Sequence, residues 1–157
     1  MDECVEKIEK ISETAEVTVV FSDAGYEVAV MYGLFERIKK CASEIILEKN
    51  QGKSSPFVGR LTKKEFERVI VAPCTANTTA KIVHAIADSL ITNIVAQAGK
   101  ADITVFILPT DAVKDLKTKL PSGKQITIRC RDIDIENTKL LSQIEGIIVL
   151  KDLGESI

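Results

Sequence analysis

The chain has 157 residues, 45 % of them hydrophobic, and its 21 basic and 23 acidic side chains give a formal net charge of −2. This length fits one domain, residues 1–157, with a sizeable core. The balance of charge excludes a general basic field for nucleic acid or an anionic membrane. No apolar run approaches the roughly 18 residues that span a bilayer. We therefore expect a single domain that binds neither nucleic acid nor a membrane.

The cysteines are spaced too widely for a metal or disulfide motif: Cys4, Cys41, Cys74 and Cys130. No CxxC pair occurs, and His84 is the only histidine, so we expect no metal site. Isolated thiols are typical of a reducing compartment. The charged opening, residues 1–7, is unlike a secretory signal. These features predict a cytoplasmic protein.

Apolar runs alternate with helical patterns in the first half of the chain. The predicted elements are a helix over 2–13, a strand over 17–21, a helix over 26–40, an edge strand over 44–48, a loop over 50–56 and one or two helical turns over 63–68.

The second half shows fully apolar strands on either side of a long helix. The predicted elements are strands over 69–72 and 103–108 with a helix over 77–97 between them, a half-exposed strand over 125–130, a helix over 134–144 and a last strand over 147–150. Apolar strands without alternation are typical of a parallel sheet covered on both faces. The sequence therefore predicts an α/β fold with a three-layer, doubly wound, mostly parallel sheet.

Three polar turns follow predicted strands, at 22–25, 73–78 and 109–111. Ligands of open α/β sheets bind beyond the carboxyl ends of the strands. In the second turn, Thr75 or Asn77 can cap the following helix. The N–H groups of its first turn favour an anionic or electron-rich ligand. A well-capped turn without a ligand fits the same pattern.

The predicted helix over 77–97 is apolar around most of its circumference. Its polar residues, Asn77, Lys81, His84 and Asp88, fall on one face. This stripe is either a solvated edge or the border of a site or subunit interface.

The stretch APCTANTTAKIVHAIADSLITN, residues 72–93, strongly resembles the signature of the flavoprotein superfamily that includes the homo-oligomeric flavin-containing cysteine decarboxylases. Ser22-Asp23-Ala24 resembles the S-x-A turn of that superfamily. Segments 31–34, 55–60, 134–137 and 145–147 are similar to its archaeal-type branch, which includes the FMN-dependent dihydromethanopterin reductases. The resemblance implies a Rossmann- or flavodoxin-like fold, FMN as cofactor and a homo-oligomer.

The resemblance also assigns cofactor-binding residues by position. Ser22 is expected on the flavin side of the pocket. Thr75, Asn77 and Thr78 are expected to hydrogen-bond the ribityl chain, the phosphate or the ring edge of FMN. Cys74 replaces the usual alanine and is expected to contribute its backbone. The resemblance gives Asp88 a structural role, and no catalytic residue is assigned.

Two departures from the superfamily pattern shape these expectations. The decarboxylases use a histidine before the strand that leads into the second turn, and residues 57–68 contain none. Arg60 lies near that place, either orienting an anionic substrate or reduced flavin or simply lying on the surface. The superfamily also begins with a strand and a phosphate-binding turn that fall before Met1. The fold is therefore expected to lack the usual first strand. Either the start is assigned at an internal methionine, or a truncated chain compensates by rearrangement or oligomerisation.

The leading hypothesis is an FMN-dependent oxidoreductase that carries electrons from a ferredoxin-like donor to a pterin-like or quinone-like small molecule. Flavin chemistry requires little from the protein beyond binding and orientation. A flavin-dependent decarboxylase of cysteine-containing substrates is the second hypothesis, and the missing histidine argues against it. A non-catalytic, oligomeric scaffold subunit is the third.

Overall fold

The computed structural model describes residues 2–51, 56–120 and 123–154. The helices are α1 (Asp2–Ser12), α2 (Asp23–Met31), α3 (Phe35–Cys41), α4 (Glu48–Gln51), α5 (Pro56–Thr62), α6 (Ala76–Val83), α7 (Leu90–Lys100) and α8 (Asp132–Leu141). The strands are β1 (Thr18–Phe21), β2 (Glu44–Leu47), β3 (Arg68–Cys74), β4 (Thr104–Pro109), β5 (Asp115–Lys119), β6 (Gln125–Arg129) and β7 (Ile147–Val149). Within these ranges no helix has the length and apolar character to cross a bilayer.

Parallel pairing dominates the strands. β1 pairs with β2, and β4 lies between β3 and β7, all in parallel. β5 and β6 form a separate antiparallel hairpin. Parallel strands joined through helices form an α/β sheet, so the predicted fold class is confirmed.

β4 shows why the expected layers form. Its side chains alternate between faces, and Val105 and Ile107 are buried in the largest core. The apolar residues that α7 adds to this core are Leu90, Ile94, Val95 and Ala98. Phe106 and Leu108, on the opposite face, pack against a cluster of Cys4 from α1 with Leu150 and Leu153. Helices therefore cover both faces of β4.

A second core lies between α1, β1, α2 and α3. Its buried members are Val5, Phe21, Ala29, Leu34 and Ile38. Because Val5 follows Cys4 directly, α1 contributes neighbouring residues to two separate cores. The amphipathic pattern that predicted a helix over 2–13 is explained by this packing.

The predicted helix over 26–40 is wrong in its continuity, because α2 ends before Gly33 and α3 begins after it. Gly33 has φ +68°, the left-handed conformation that a glycine adopts without steric cost. The N–H of Leu34 donates to the carbonyl of Ala29 at 2.8 Å, which closes the end of α2.

The predicted helix over 77–97 is also two helices, α6 and α7. Ala85 has φ +55°, and the N–H of Ile86 donates to the carbonyl of Lys81 at 2.8 Å, which ends α6. Ser89 then starts α7 in a capping box with Thr92, and their backbone-to-side-chain hydrogen bonds measure 3.0 and 3.2 Å. Because apolar side chains continue on both sides of this break, the hydrophobic periodicity did not indicate it.

Smaller differences concern the ends of elements. The helical turns expected over 63–68 are wrong, because α5 ends at Thr62 and β3 begins at Arg68. The strand β5 was not predicted, and α8 begins two residues before the predicted start at 134. The edge strand over 44–48 is confirmed as β2. Part of the loop predicted over 50–56 falls on residues 52–55, outside the described residues.

Candidate cofactor site

The turn from β3 into α6 is built around Thr75. β3 ends at Cys74 after a cis peptide bond between Ala72 and Pro73. The hydroxyl oxygen of Thr75 accepts a 3.4 Å hydrogen bond from the N–H of Thr78, and the two hydroxyl oxygens are 3.2 Å apart. Thr75 therefore caps α6, which decides between the two capping residues that the sequence allowed.

The first turn of α6 is open to solvent. Thr75 and Asn77 are exposed, and Ala76 and Thr78 are half-buried. The first N–H groups of a helix have no acceptor within it, and Thr75 satisfies only that of Thr78. The remaining donors and the positive end of the helix dipole suit an anion or an electron-rich ring.

Cys74 faces the interior beneath this turn. The residue is 1 % exposed, and its sulfur lies 3.4 Å from the hydroxyl oxygen of Thr79, which is also buried. Burial raises the pKa of the Cys74 thiol to about 11, so the group is neutral at physiological pH. A ligand above α6 would therefore meet the backbone of Cys74 and not a thiolate.

The turn after β4 lies beside the turn after β3. Cys74 is in register with Pro109, and the Cys74 carbonyl accepts hydrogen bonds from the N–H of Thr110 at 2.9 Å and from its hydroxyl at 3.3 Å. The Thr110 hydroxyl also contacts the Asp111 carboxylate, which accepts from the Cys130 thiol at 3.3 Å. Two of the three predicted turns thus form one continuous polar edge.

Ser22 has the same local role at the first of the three turns, at the end of β1. It caps α2, and its hydroxyl oxygen accepts from the N–H of Gly25 at 3.0 Å. β1 belongs to a different hydrogen-bonded sheet from β3 among the described residues. The structure therefore joins Cys74, Thr75 and Thr78 by hydrogen bonds or direct succession, and it places Ser22 after the strand of a separate sheet.

The predicted polar stripe is changed by the break between α6 and α7. His84 ends α6 and is exposed. The Lys81 ammonium lies 2.8 Å from the Asp88 carboxylate in the linker, so this ion pair spans the break. The Asn93 amide fixes the same linker by donating to the carbonyls of Ala87 and Ser89 at 3.0 and 2.9 Å. Asp88 thus pairs with Lys81 across the break, and its structural role stays a prediction.

Arg60 forms hydrogen bonds and aromatic contacts within the protein. Its guanidinium donates to the carboxylates of Glu44 and Glu65, each at 2.7 Å, and these hydrogen bonds raise its pKa further. The group also lies 5.2 Å from the ring centre of Phe57 and 5.0 Å from that of Phe66. These contacts join α5 to β2, so they explain Arg60 without a substrate.

Glu48 is a buried polar residue that the sequence analysis missed. It follows β2, and its carboxylate accepts a 2.8 Å hydrogen bond from the N–H of Leu90, the first residue of α7. A carboxylate is stabilised at this positive helix end. No local sequence pattern indicates this contact, because Glu48 and Leu90 are 42 positions apart.

The fold and this polar edge define an α/β protein with a capped strand-to-helix turn suited to an anionic cofactor. The model of the Flavoprotein family matches residues 1–152, and the chain belongs to that family. An uncharacterized protein of Methanocaldococcus jannaschii is 40 % identical over 154 residues, which cover 96 % of this chain and 82 % of the relative. A dihydromethanopterin reductase (acceptor) of the same organism is 32 % identical and covers 94 % of this chain and 84 % of the relative.

A solved structure extends the comparison to the fold. DmrB of Burkholderia xenovorans, crystallised with FMN and described as a cubic protein cage for redox transfer, is 29 % identical to this chain. The match has a TM-score of 0.82 and covers 95 % of this chain and 81 % of that one. The family assignment expected from residues 72–93 is confirmed.

Proposed function

We propose that this chain is an FMN-dependent oxidoreductase that reduces a pterin-like acceptor as one subunit of a homo-oligomer. The observation that carries the proposal is the exposed, Thr75-capped start of α6, in a chain that belongs to the Flavoprotein family. The similar proteins support its chemistry, since one is named a dihydromethanopterin reductase and another binds FMN in a redox cage.

The proposed binding mode uses the groups that α6 leaves available. The exposed amide of Asn77 and the unsatisfied N–H groups of the first turn donate to the phosphate, ribityl chain or ring edge of FMN. Thr75 and Thr78 add hydroxyls, Cys74 adds its backbone, and Ser22 lies on the flavin side. Bound flavin supplies the electron transfer, while the protein orients it and limits access of water.

The partners and location are finer parts of the same proposal. A pterin-like ring is a small planar acceptor that the flavin can reduce, and a ferredoxin-like protein is the proposed donor. The four cysteines are free, which fits a reducing, cytoplasmic environment. All of residues 1–157 are proposed to form the one flavoprotein domain.

The decarboxylase hypothesis has less support from the residues. Residues 57–68 contain no histidine to handle a proton, and Nε and Nη1 of Arg60 donate to glutamates. His84 is exposed at the end of α6, away from the capped turn. An oxidoreductase needs no such group, because the isoalloxazine ring accepts and releases the electrons.

The test is to purify the protein with FMN and to measure both binding and turnover. Absorbance near about 450 nm that stays with the protein through gel filtration would support flavin binding. Oxidation of the reduced, protein-bound flavin by a dihydropterin acceptor would support the reductase assignment. A flavin-loaded protein that releases CO₂ from a cysteine-ended peptide but reduces no pterin would favour the decarboxylase. A protein that never retains FMN would favour the scaffold.

A further inference from the structure

The β5–β6 hairpin has one apolar and one polar face. Its register places Leu116 opposite Ile128 and Thr118 opposite Ile126. Because side chains alternate along a strand, these four residues lie on one face. The described pairs on the other face are polar: Asp115 with Arg129 and Lys117 with Thr127. Such alternation is typical of a hairpin that covers an apolar surface.

The apolar face is only partly covered in the described part of the chain: Leu116, Thr118 and Ile126 are half-buried, and Ile128 is exposed. β5 and β6 pair only with each other, and none of the three hydrophobic cores includes a residue of the hairpin. Ile128 is 42 % exposed, and Leu120 at the end of the hairpin and Val113 before it are 39 % and 54 % exposed. An isolated two-stranded hairpin is only marginally stable in water, so this face is suited to burial.

The two ends of the hairpin are joined to each other at its base. The N–H of Cys130 donates to the carbonyl of Lys114 at 2.9 Å, and the buried Cys130 thiol donates to Asp111 at 3.3 Å. The Lys114 ammonium also contacts the Asp132 carboxylate. These contacts hold the two strands together at the base, which limits the entropy lost when the apolar face becomes covered.

We propose that the apolar face of the β5–β6 hairpin is a contact surface for a second copy of this chain. The inference rests on the homo-oligomer of the proposed function and gives that oligomer a location. The FMN-bound relative with a TM-score of 0.82 is described as a cage, which requires each subunit to bury surface against others. Ile133, 60 % exposed in the first turn of α8, is a further exposed apolar residue shortly after the hairpin in the sequence.

The test compares two charged substitutions at adjacent positions of β6. Ile128→Glu places a carboxylate on the apolar face, whereas Thr127→Glu places it on the polar face. The molar mass of each FMN-supplemented protein is measured by light scattering during gel filtration. We expect Thr127→Glu to keep the wild-type mass and Ile128→Glu to dissociate into smaller species.

A milder variant keeps the test informative if Ile128→Glu does not fold. Ile128→Thr retains a β-branched side chain, and we expect it to raise the midpoint concentration of assembly by about tenfold. An unchanged mass and midpoint in every variant would overturn the inference. So would an Ile128→Glu protein that keeps its mass but loses FMN binding or pterin reduction, because the face would then cover the site of its own subunit. FMN binding is measured separately, so failure of the cofactor assignment is distinguishable from failure of this contact.

Discussion

The main-chain N–H of Thr110 donates a 2.9 Å hydrogen bond to the carbonyl oxygen of Cys74, which joins the turns after β3 and β4. The Thr110 hydroxyl adds a 3.3 Å bond to the same oxygen and a contact with Asp111. Thr110, which lies in the turn after β4, therefore fixes the capped start of α6 relative to the end of β4.

Replacing Thr110 with valine tests this connection. Thr110→Val removes the hydroxyl and keeps the shape and the N–H group, so we expect the free energy of unfolding to fall by about 1 kcal/mol. FMN affinity should fall as well, because the two turns are less tightly held. Urea unfolding and FMN titration provide the measurements, with Thr104→Val at the opposite end of β4 as the matched control. Equal FMN affinity in both variants would show that Thr110 does not position the site.

Thiol labelling tests the buried position of Cys74. With a pKa near 11 and 1 % exposure, Cys74 should resist iodoacetamide at pH 8, whereas the half-buried Cys41 should react first. Peptide mass spectrometry of the native protein reads both sites, and labelling in denaturant serves as the control. Faster labelling of Cys74 than of Cys41 in the native state would contradict the buried orientation.

The acid stability of α8 is predicted to depend on Asp134. Hydrogen bonds from Arg131 lower the pKa of the Asp134 carboxyl below its ordinary value of 3.8. The contribution of the Asp134 carboxylate to stability is present above pH 3.8, and it is lost as the pH falls through the lower pKa of the folded state. We expect Asp134→Asn to unfold more easily at pH 7 and to lose less stability on acidification. Asp132→Asn, at an exposed position in the same turn, is the control, and identical pH profiles for wild type and Asp134→Asn would refute the linkage.

The break between α6 and α7 predicts a stabilising substitution. Ala85 has φ +55°, a conformation that costs about 1 kcal/mol with a Cβ and nothing with glycine. Ala85→Gly should therefore raise or leave unchanged the free energy of unfolding. Ala87→Gly in the same linker should lower it by about 0.4–1 kcal/mol, because the unfolded chain gains freedom. Urea unfolding compares the two, and a larger loss in Ala85→Gly than in Ala87→Gly would argue for a continuous helix.

The sequence predicted the layers better than it predicted helix ends. Apolar strands such as residues 103–108 identify a buried parallel sheet directly, because β4 is covered on both faces. The family signature in residues 72–93 identified the turn that Thr75 caps. Both broken helices escaped because apolar side chains continue through the breaks, and only positive φ at Gly33 and Ala85 marks them.

Long-range contacts were beyond the reach of sequence patterns. The hydrogen bond from Leu90 to Glu48 and the clamp of Arg60 by Glu44 and Glu65 depend on how separate elements pack. The hairpin strand β5 was missed because Asp115–Lys119 contains three charged residues that suggest a loop, although alternate positions face one side. Such residues acquire their roles only when the tertiary structure is formed.

The central claim, that the first turn of α6 binds FMN, is tested most directly by titrating FMN into wild-type, Asn77→Ala and Gln143→Ala protein. Gln143 is an exposed amide beyond α8 and serves as the matched control. The proposal predicts that wild type and Gln143→Ala bind FMN equally, while Asn77→Ala binds it about tenfold more weakly through loss of one hydrogen bond to the cofactor. Equal FMN affinity in all three proteins would contradict it.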